Sequence, residues 1–330
     1  MNPPAVTAEQ LVAGAHVVAI PMRVPFRGVR VREAVLIQGP RGWGEFAPFP
    51  EYDDAEAARW LAAAVEAAWR GWPAPVRDVV AVNATVPAVE ASQVPAILAR
   101  YDGCPAVKVK VAERGQRLRD DIDRVAAVRD VVGPGVAIRV DANGGWDVPQ
   151  ALDALAALTP YALEYAEQPC AAVEELAELR VALARAGLDV PIAADESIRR
   201  AQDPLRVREL AAADLIVVKV APLGGVRAAL AIVEEVGLPA VVSSALDTSV
   251  GIAAGVALAA ALPELRHACG LGTLTLMERD VSDRPWTPQA GRLRPGTVSV
   301  DPAALATLAA AAPRRDWWLE RLRRCAELLL

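Results

Sequence analysis

The lysines of this chain are the first residues whose type points to chemistry. The sequence has 35 basic residues, of which only Lys108, Lys110 and Lys219 are lysines and the other 32 are arginines. Arginine stays protonated at any working pH, whereas a lysine taken out of water can lose its proton near neutrality. Codon drift alone could leave three lysines in the chain. Their positions in the sequence favour a role in proton transfer.

Three acidic residues in short, distinctive runs form a second candidate group. Asp141 lies in DANGGW, Glu167 in EQP and Asp195 in ADES. A single acid of this kind can equally be a helix N-cap or a solvated strand end. Three carboxylates brought together cannot all stay ionised without a cation, and an all-oxygen set suits Mg²⁺, with Mn²⁺ as an alternative ion. Zinc is disfavoured because the chain has only two histidines and four scattered cysteines.

The elements that must position these residues alternate between β-branched runs and amphipathic Ala/Leu-rich stretches. Polar residues end six of the apparent strands at intervals of 24 to 31 residues, which is the period of a strand-helix repeat. This pattern predicts an α/β fold, a modified (β/α)7β TIM-type barrel whose strand ends converge on one mouth. A doubly wound sheet is the alternative, but it would gather ligands at one switch point. The expected strands are 79–84, 106–111, 136–140, 163–166, 191–194, 215–220, 240–243 and 267–271.

The two ends of the chain have a different pattern. Short alternating runs near the N-terminus predict a small antiparallel sheet followed by an Ala-rich helix, and the C-terminal tail is expected to pack back on it. We therefore predict an α+β capping domain built from residues 1–75 with 285–330, and a barrel catalytic domain over residues 76–284. The expected elements outside the barrel are strands at 16–22, 29–37, 42–45 and 296–300 and helices at 54–69, from Pro302 and from Asp316.

The spacing of the lysines fits this barrel. Lys108 and Lys110 are two residues apart on the second expected strand, so their side chains point the same way, while Lys219 ends the sixth strand and enters from the opposite side. Two cationic groups in one site lower each other's pKa, and an amine near neutrality can remove a proton from carbon. Beside a carboxylate bound to Mg²⁺, that proton loss would give an enediolate.

Several motifs together resemble a known family. The run KVKV at residues 108–111, DANGGW, EQP, ADES, KVAPLGG at 219–225 and SSALDTSVG at 243–251 are similar to the muconate-lactonising-type branch of the enolase superfamily. GWGEFAPFPEY at 42–52 resembles the capping-domain loop that covers the site in that family. The resemblance extends over nearly the whole chain. Each motif alone is weak, and their combination is specific.

The resemblance implies a role for each matching residue. It makes Lys110 the base that removes the α-proton, with Lys108 beside it to tune its pKa and Lys219 as the partner on the other face. It makes Asp141, Glu167 and Asp195 the metal ligands. The groups that would support these ligands are Asn143 and Glu196, and the residues expected to bind substrate are Ser243, Ser244, Gly270 and Leu271.

The sequence favours one reaction of this family and leaves several alternatives open. The short N-terminal domain, PFPEY and GLGT most resemble the o-succinylbenzoate synthases of menaquinone biosynthesis, which dehydrate 2-succinyl-6-hydroxy-2,4-cyclohexadiene-1-carboxylate. An N-succinylamino-acid racemase, a muconate cycloisomerase and a barrel that only binds a carboxylate remain as alternatives. A dipeptide epimerase is disfavoured because residues 270–273 carry no acid to hold a substrate ammonium.

The amino-acid composition limits the kinds of molecule that this protein can bind. The net charge of −6 and a pI near 5.2 provide no basic field for nucleic acid or an anionic membrane. The N-terminal residues show no signal peptide and the apolar run at 250–262 is too short to span a bilayer. We therefore expect a cytoplasmic enzyme with a small-molecule carboxylate substrate, no nucleic-acid or membrane partner, and a monomeric or homo-oligomeric state.

Overall fold

The computed structural model describes residues 6–26, 28–198 and 203–329. The strands are β1 (Ala15–Phe26), β2 (Val29–Gly39), β3 (Gly42–Phe46), β4 (Val80–Ala81), β5 (Ala84–Val86), β6 (Ala106–Lys110), β7 (Ala137–Asp141), β8 (Leu163–Glu167), β9 (Ile192–Ala194), β10 (Leu215–Val218), β11 (Ala240–Val242) and β12 (Arg292–Leu293). The helices are α1 (Ala8–Ala13), α2 (Asp54–Val65), α3 (Val94–Leu98), α4 (Leu118–Val132), α5 (Val148–Leu158), α6 (Val173–Ala186), α7 (Asp203–Glu209), α8 (Val226–Val236), α9 (Ser249–Ala261), α10 (Pro302–Thr307) and α11 (Ala312–Leu329).

The seven strands β5 to β11 form one parallel sheet in sequence order, as the predicted barrel requires. The expected eighth strand at 267–271 is reduced to two parallel bridges, Cys269 to Val82 and Gly270 to Ser243. These bridges join the two edges of the sheet, since Gly270 N donates to Val242 O and Cys269 N to Ala81 O at 2.8 and 2.7 Å. The predicted fold class is therefore confirmed.

Helices α3 to α8 follow the barrel strands in alternation and have local start and stop signals. Helix α5 begins with a capping box in which Asp147 accepts a hydrogen bond from Gln150 N and the Gln150 side chain accepts from Asp147 N. Helices α6 and α8 end at Gly187 and Gly237, which adopt the left-handed conformation that glycine takes without a steric cost. Each strand and its helix thus form a regular unit that returns the chain to the same end of the barrel.

The N-terminal segment forms the expected antiparallel sheet β1-β2-β3, which packs with α2 and α11 around a second apolar core. Trp60 of α2 and Trp318 of α11 are fully buried there. Helix α2 is shorter than expected because a π-helical turn, Glu66–Arg70, replaces its end. The strand expected at 296–300 is not formed, and the short pair β12-β4 precedes this segment instead. The exact domain boundaries remain a prediction.

Helix α9 connects the two cores. It is apolar on all sides, which is typical of a buried helix, and it packs against β3 of the N-terminal sheet and against β4, β11 and α8 of the barrel. This placement accounts for the apolar run at 250–262. No helix in the described part of the chain is long and apolar enough to cross a lipid bilayer.

Close packing of β3 on α2 gives the first prediction. A methyl group on Gly44 would overlap the carbonyl oxygen of Ala64, so Gly44→Ala forces α2 away from the sheet. We expect a loss of about 1–3 kcal/mol in the free energy of unfolding, measured by urea titration. Gly135→Ala is the matched control, because a methyl group there meets nothing within 4 Å. Equal stabilities of the two variants would contradict this account of the packing.

Candidate active site

The barrel register brings the predicted lysines and acids to one end of the sheet. Lys110 of β6 lies beside Asp141 of β7, and Asp141 lies beside Glu167 of β8. Asp195 follows β9 directly and Lys219 follows β10. Because all these strands are parallel, their carboxyl ends meet at the same mouth. The structure therefore gathers all five residues, together with Lys108, at one place.

Each acid is paired with a lysine. The Lys108 ammonium donates to both oxygens of Glu167, at 2.9 and 3.1 Å, and lies 3.3 Å from Asp141 Oδ2. Lys110 contacts the same Asp141 oxygen and the side-chain oxygen of Asn143. On the other side of the mouth, Lys219 contacts Asp195 Oδ2. The three acids are only 1% exposed and the lysines 6–9% exposed, so these ion pairs are shielded from water.

The proximity of these charges shifts their pKa values. Burial and the neighbouring Asp141 raise the pKa of Glu167 to about 7, against the attraction of Lys108. Burial opposes the ionisation of Asp141, but Lys110 and Lys108 hold the pKa of that carboxyl well below its usual range. Burial alone would lower the pKa of Lys108, yet Glu167 and Asp141 raise it above its ordinary value. The carboxylates thus outweigh the lowering expected between neighbouring lysines.

The turns after the site strands adopt a conformation that is uncommon for residues other than glycine. Ala112, Asn143, Gln168 and Leu246 follow site residues and have φ values of 57°, 47°, 39° and 62°. Backbone strain of this kind costs about 1–3 kcal/mol per residue and tends to occur at functional sites. Here it turns the chain sharply after each polar side chain has reached the mouth.

Two side chains hold the acids in place. The buried Gln168 amide oxygen accepts hydrogen bonds from Asp195 N at 2.9 Å and from Ser197 N at 3.3 Å, which ties the end of β8 to the end of β9. Asn143 N donates to Asp141 Oδ1 and Asn143 Nδ2 donates to Glu196 Oε1, both at 3.1 Å. Asn143 thus contacts Asp141 and Glu196, while the supporting role that the resemblance gives to Asn143 and Glu196 remains a prediction. The sequence analysis did not identify Gln168, although it follows Glu167 in EQP.

The donor chemistry of the acids fits a divalent cation. Asp141, Glu167 and Asp195 are all-oxygen ligands on neighbouring strands, and the repulsion that raises the pKa of Glu167 would be relieved by a positive ion. Within the described residues, no three acidic, histidine or cysteine side chains converge on one metal position, because each of these acids is turned towards a lysine. A cation would compete with the ammonium groups for the same oxygens.

A cavity opens above these ion pairs, and its two walls differ in character. Lys108, Lys110, Asp141 and Lys219 form the charged wall, whereas aromatic residues of the N-terminal segment form the opposite wall. The ring of Phe26 lies 5.2 Å from the Lys110 ammonium, within the range of a cation-π contact. The sequence did not identify the lining residues Phe26, Trp60, Thr85, Pro222, Leu246 and Thr273.

The predicted substrate-binding residues are only partly brought together. Ser243 and Ser244 line the cavity, and Ser244 Oγ donates to Gly270 O at 2.9 Å and lies 2.6 Å from Thr273 Oγ1. The carbonyl of Gly270 therefore already accepts from protein groups. Leu271 is fully buried in the barrel core, where its side chain faces Gly255 of α9. A substrate contact for Leu271 or Gly270 remains a prediction.

Two buried ionisable residues, Arg32 and Glu45, connect the N-terminal sheet to the loop after β11. Arg32 donates to Leu246 O at 2.9 Å and to Ala47 O, and its guanidinium lies 4.6 Å from the ring of Phe49. Glu45 accepts hydrogen bonds from Thr248 N at 3.1 Å and from Gly251 N at 2.9 Å, at the start of α9. These contacts hold the aromatic wall over the charged wall.

Comparison with known proteins identifies the family. The enolase C-terminal domain-like family matches residues 92–302, and the enolase N-terminal domain-like family matches residues 17–68. The chain belongs to the enolase superfamily. Sites of this superfamily use a lysine or histidine base together with a bound divalent metal. The lysine and carboxylate set of the barrel mouth has that composition.

Individual members of the superfamily are similar over nearly the whole chain. An o-succinylbenzoate synthase from Mycolicibacterium smegmatis is 59% identical over 95% of each chain. One from Mycobacterium tuberculosis is 56% identical over 98% of this chain and 96% of its own. The structure of a muconate lactonizing enzyme from Pseudomonas fluorescens has a TM-score of 0.76 at 21% identity and covers 90% of this chain and 98% of its own. That last similarity concerns the fold alone.

The buried Glu45 gives a prediction of pH dependence. Burial and the nearby Asp247 raise the pKa of Glu45 from 4.5 to about 7. Between these pH values the folded protein binds the proton more tightly than the unfolded chain does, so its stability falls as the pH rises from about 4.5 to about 7. Glu45→Gln should flatten this dependence by up to about 3 kcal/mol, measured by urea unfolding across this range.

The same substitution at the exposed Glu51 is the control for Glu45→Gln. It should leave the dependence of stability on pH as in the wild type. If Glu45→Gln keeps the full wild-type slope between pH 4.5 and 7, Glu45 does not retain its proton in the folded protein.

Proposed function

We propose that this protein is an o-succinylbenzoate synthase, a carbon-oxygen lyase of menaquinone biosynthesis. It would dehydrate 2-succinyl-6-hydroxy-2,4-cyclohexadiene-1-carboxylate to 2-succinylbenzoate. The observation that carries this proposal is the 59% identity with an o-succinylbenzoate synthase over 95% of both chains. The paired lysines and carboxylates at the barrel mouth supply the groups that this reaction needs.

Lys110 is the proposed base. In its neutral form its amine takes the proton from C1 of the substrate, next to the ring carboxylate. The resulting ammonium returns a proton to the hydroxyl group on C6, which leaves as water while the ring becomes aromatic. One group can serve both steps when the proton and the hydroxyl leave from the same side of the ring. Asn143 and Phe26 contact the Lys110 ammonium and hold it in position.

Lys108 and Lys219 provide positive charge around the ring. Lys108 lies between Glu167 and Asp141, where it limits the charge of the acid pair. Lys219 reaches the mouth from β10, across from β6, so its ammonium can lie against the opposite side of the substrate. Electrostatic stabilisation of this kind is strongest in a site that is shielded from water.

Asp141, Glu167 and Asp195 are the residues that would hold Mg²⁺. A divalent cation bound there acts as a Lewis acid that stabilises negative charge on a substrate carboxylate. We favour Mg²⁺ over Mn²⁺ because the ligand set consists of carboxylates alone and Mg²⁺ is the harder ion. Asn143 and Glu196 would orient Asp141 through the hydrogen bonds at 3.1 Å described above.

A second candidate is an N-succinylamino-acid racemase. Racemisation needs a base on each face of the substrate, and Lys110 and Lys219 lie on opposite sides of the mouth. A muconate-type cycloisomerase is less well supported, since the muconate lactonizing enzyme is similar in fold alone. Either of these activities, synthase or racemase, implies a small-molecule substrate. The cytoplasmic location and the oligomeric state remain predictions.

The first test of the proposed function is turnover. The hydroxycyclohexadiene carboxylate substrate is incubated with protein and Mg²⁺, and the loss of diene absorbance is followed with and without EDTA. We expect dehydration that stops with EDTA and resumes when Mg²⁺ is added in excess. Racemisation of an N-succinylamino acid is measured in parallel. A folded, metal-loaded protein that racemises but does not dehydrate would transfer the assignment to the racemase.

Lys110→Arg tests the identity of the base. Arginine keeps the positive charge beside Asp141 but cannot release a proton at working pH. We expect turnover to fall by roughly 10²–10⁴-fold, while the affinity for the product 2-succinylbenzoate, measured by calorimetry, changes little. Arg119→Lys, on an exposed face of α4, is the control and should change neither quantity. Turnover that persists in Lys110→Arg would rule out Lys110 as the base.

A further inference from the structure

Trp60 lies beside the candidate active site, where two cavities meet. It lies in α2, is 1% exposed, and packs edge-to-face on Phe49 with ring centroids 6.1 Å apart. It lines the cavity above the lysines and also a second cavity, which reaches towards Glu45 and Asp247. Among the described residues, Trp60 and Ser243 line both cavities, so they mark the junction between them.

The indole nitrogen of Trp60 is a buried donor without a hydrogen-bond acceptor among the described residues. A buried tryptophan N–H normally finds an acceptor, and Trp318 shows this, because its Nε1 donates to Glu33 at 3.0 Å. A buried donor without an acceptor destabilises the folded protein. Because Trp60 also lines the cavity, a ligand bound there is a source of the acceptor that this donor lacks.

Charge and lining decide which part of a ligand could reach this donor. The second cavity is lined mainly by small apolar residues together with Glu45 and Asp247, and none of the described side chains that line it carries a positive charge that could pair with an anionic group. An anionic chain that extends from the lysine-lined cavity would therefore stop at the junction. There it meets Trp60 and the hydroxyl of Ser243. The ring carboxylate, in contrast, belongs beside the lysines and the proposed metal ligands.

We propose that the Trp60 indole N–H donates a hydrogen bond to an oxygen of the substrate's succinyl side chain. Trp60 is then a specificity-determining residue, which selects substrates that carry an oxygen-bearing side chain at this position. The proposal rests on the proposed function, since that function defines the substrate. It concerns recognition of the side chain and leaves the proton transfer by Lys110 unchanged.

Steady-state kinetics of Trp60→Phe provide the first test. The variant keeps an aromatic ring and removes the N–H. We expect KM for the hydroxycyclohexadiene substrate to rise about tenfold, as for the loss of one hydrogen bond, while kcat stays within about twofold. A variant with unchanged KM, or with a fall in kcat alone, would overturn the proposal.

Trp72→Phe is the matched control. The indole nitrogen of Trp72 is also buried without an acceptor among the described residues, but Trp72 lines a separate cavity with Arg41 and Trp43. Its replacement should leave KM and kcat at the wild-type values. If Trp72→Phe raises KM as much as Trp60→Phe does, the effect is a general consequence of losing an indole, and the proposal fails.

A spectroscopic measurement on the wild-type protein does not depend on the kinetics of any variant. The ¹⁵N–¹H signal of the Trp60 indole is followed while the product 2-succinylbenzoate or benzoate is added. Replacement of Trp60 by 3-benzothienylalanine, which has the same shape and no N–H, assigns the signal. We expect a downfield proton shift with 2-succinylbenzoate and none with benzoate, because only the product carries the succinyl chain.

The two proposals fail in distinguishable ways. No shift of the Trp60 signal with saturating product, or an equal shift with benzoate, would overturn the role of Trp60 even if the wild type dehydrates the substrate. Absence of dehydration by the metal-loaded wild type would overturn the proposed function. Because product binding is observed without turnover, each result is read separately from the other.

Discussion

Mutual neutralisation of three buried acids and three buried lysines is the constraint on which the rest of this structure depends. An ionised carboxylate removed from water without a partner costs several kcal/mol, and the ion pairs at the barrel mouth offset that cost. Lys108 contacts both Glu167 and Asp141, and Lys110 contacts Asp141, so these four residues form a connected network, while Lys219 pairs with Asp195 across the mouth. Loss of any one member leaves an uncompensated buried charge. The whole set must therefore be positioned together, and the parallel barrel does so through one register.

The ion pairs explain why three positions at the barrel mouth are lysines in a chain whose other basic residues are arginines. Lysine ends in a compact ammonium that fits between two carboxylates and can change its proton number, whereas the planar arginine fork stays charged. The structural arginines show the contrast, because buried Arg32 uses its fork to join two backbone carbonyls and the ring of Phe49. The same chain thus assigns fixed positive charge to arginine and reserves lysine for the mouth.

The barrel strands and their charged residues could be predicted because both recur at regular intervals along the sequence. Lys110, Asp141 and Glu167 come at strand ends, and regular strand-helix units must bring strand ends together. Prediction failed where tertiary context decides. The eighth strand shrinks to bridges at Cys269 and Gly270, and the segment 296–300 forms no strand. Trp60 resembled an ordinary core residue of a helix, since nothing local marks its N–H as lacking an acceptor.

The two walls of the cavity come from distant parts of the chain and have different roles. The charged wall comes from barrel strand ends and fixes what chemistry is available, while Phe26, Phe49, Tyr52 and Trp60 come from the N-terminal segment and shape the space above it. Arg32 and Glu45 connect the two walls through contacts with the loop after β11 and the start of α9. Phe26 lies against the Lys110 ammonium, so a substitution there affects the charged wall as well. A substitution at Trp60, in contrast, can alter which substrate side chain is accepted while the ion pairs of the charged wall stay in place.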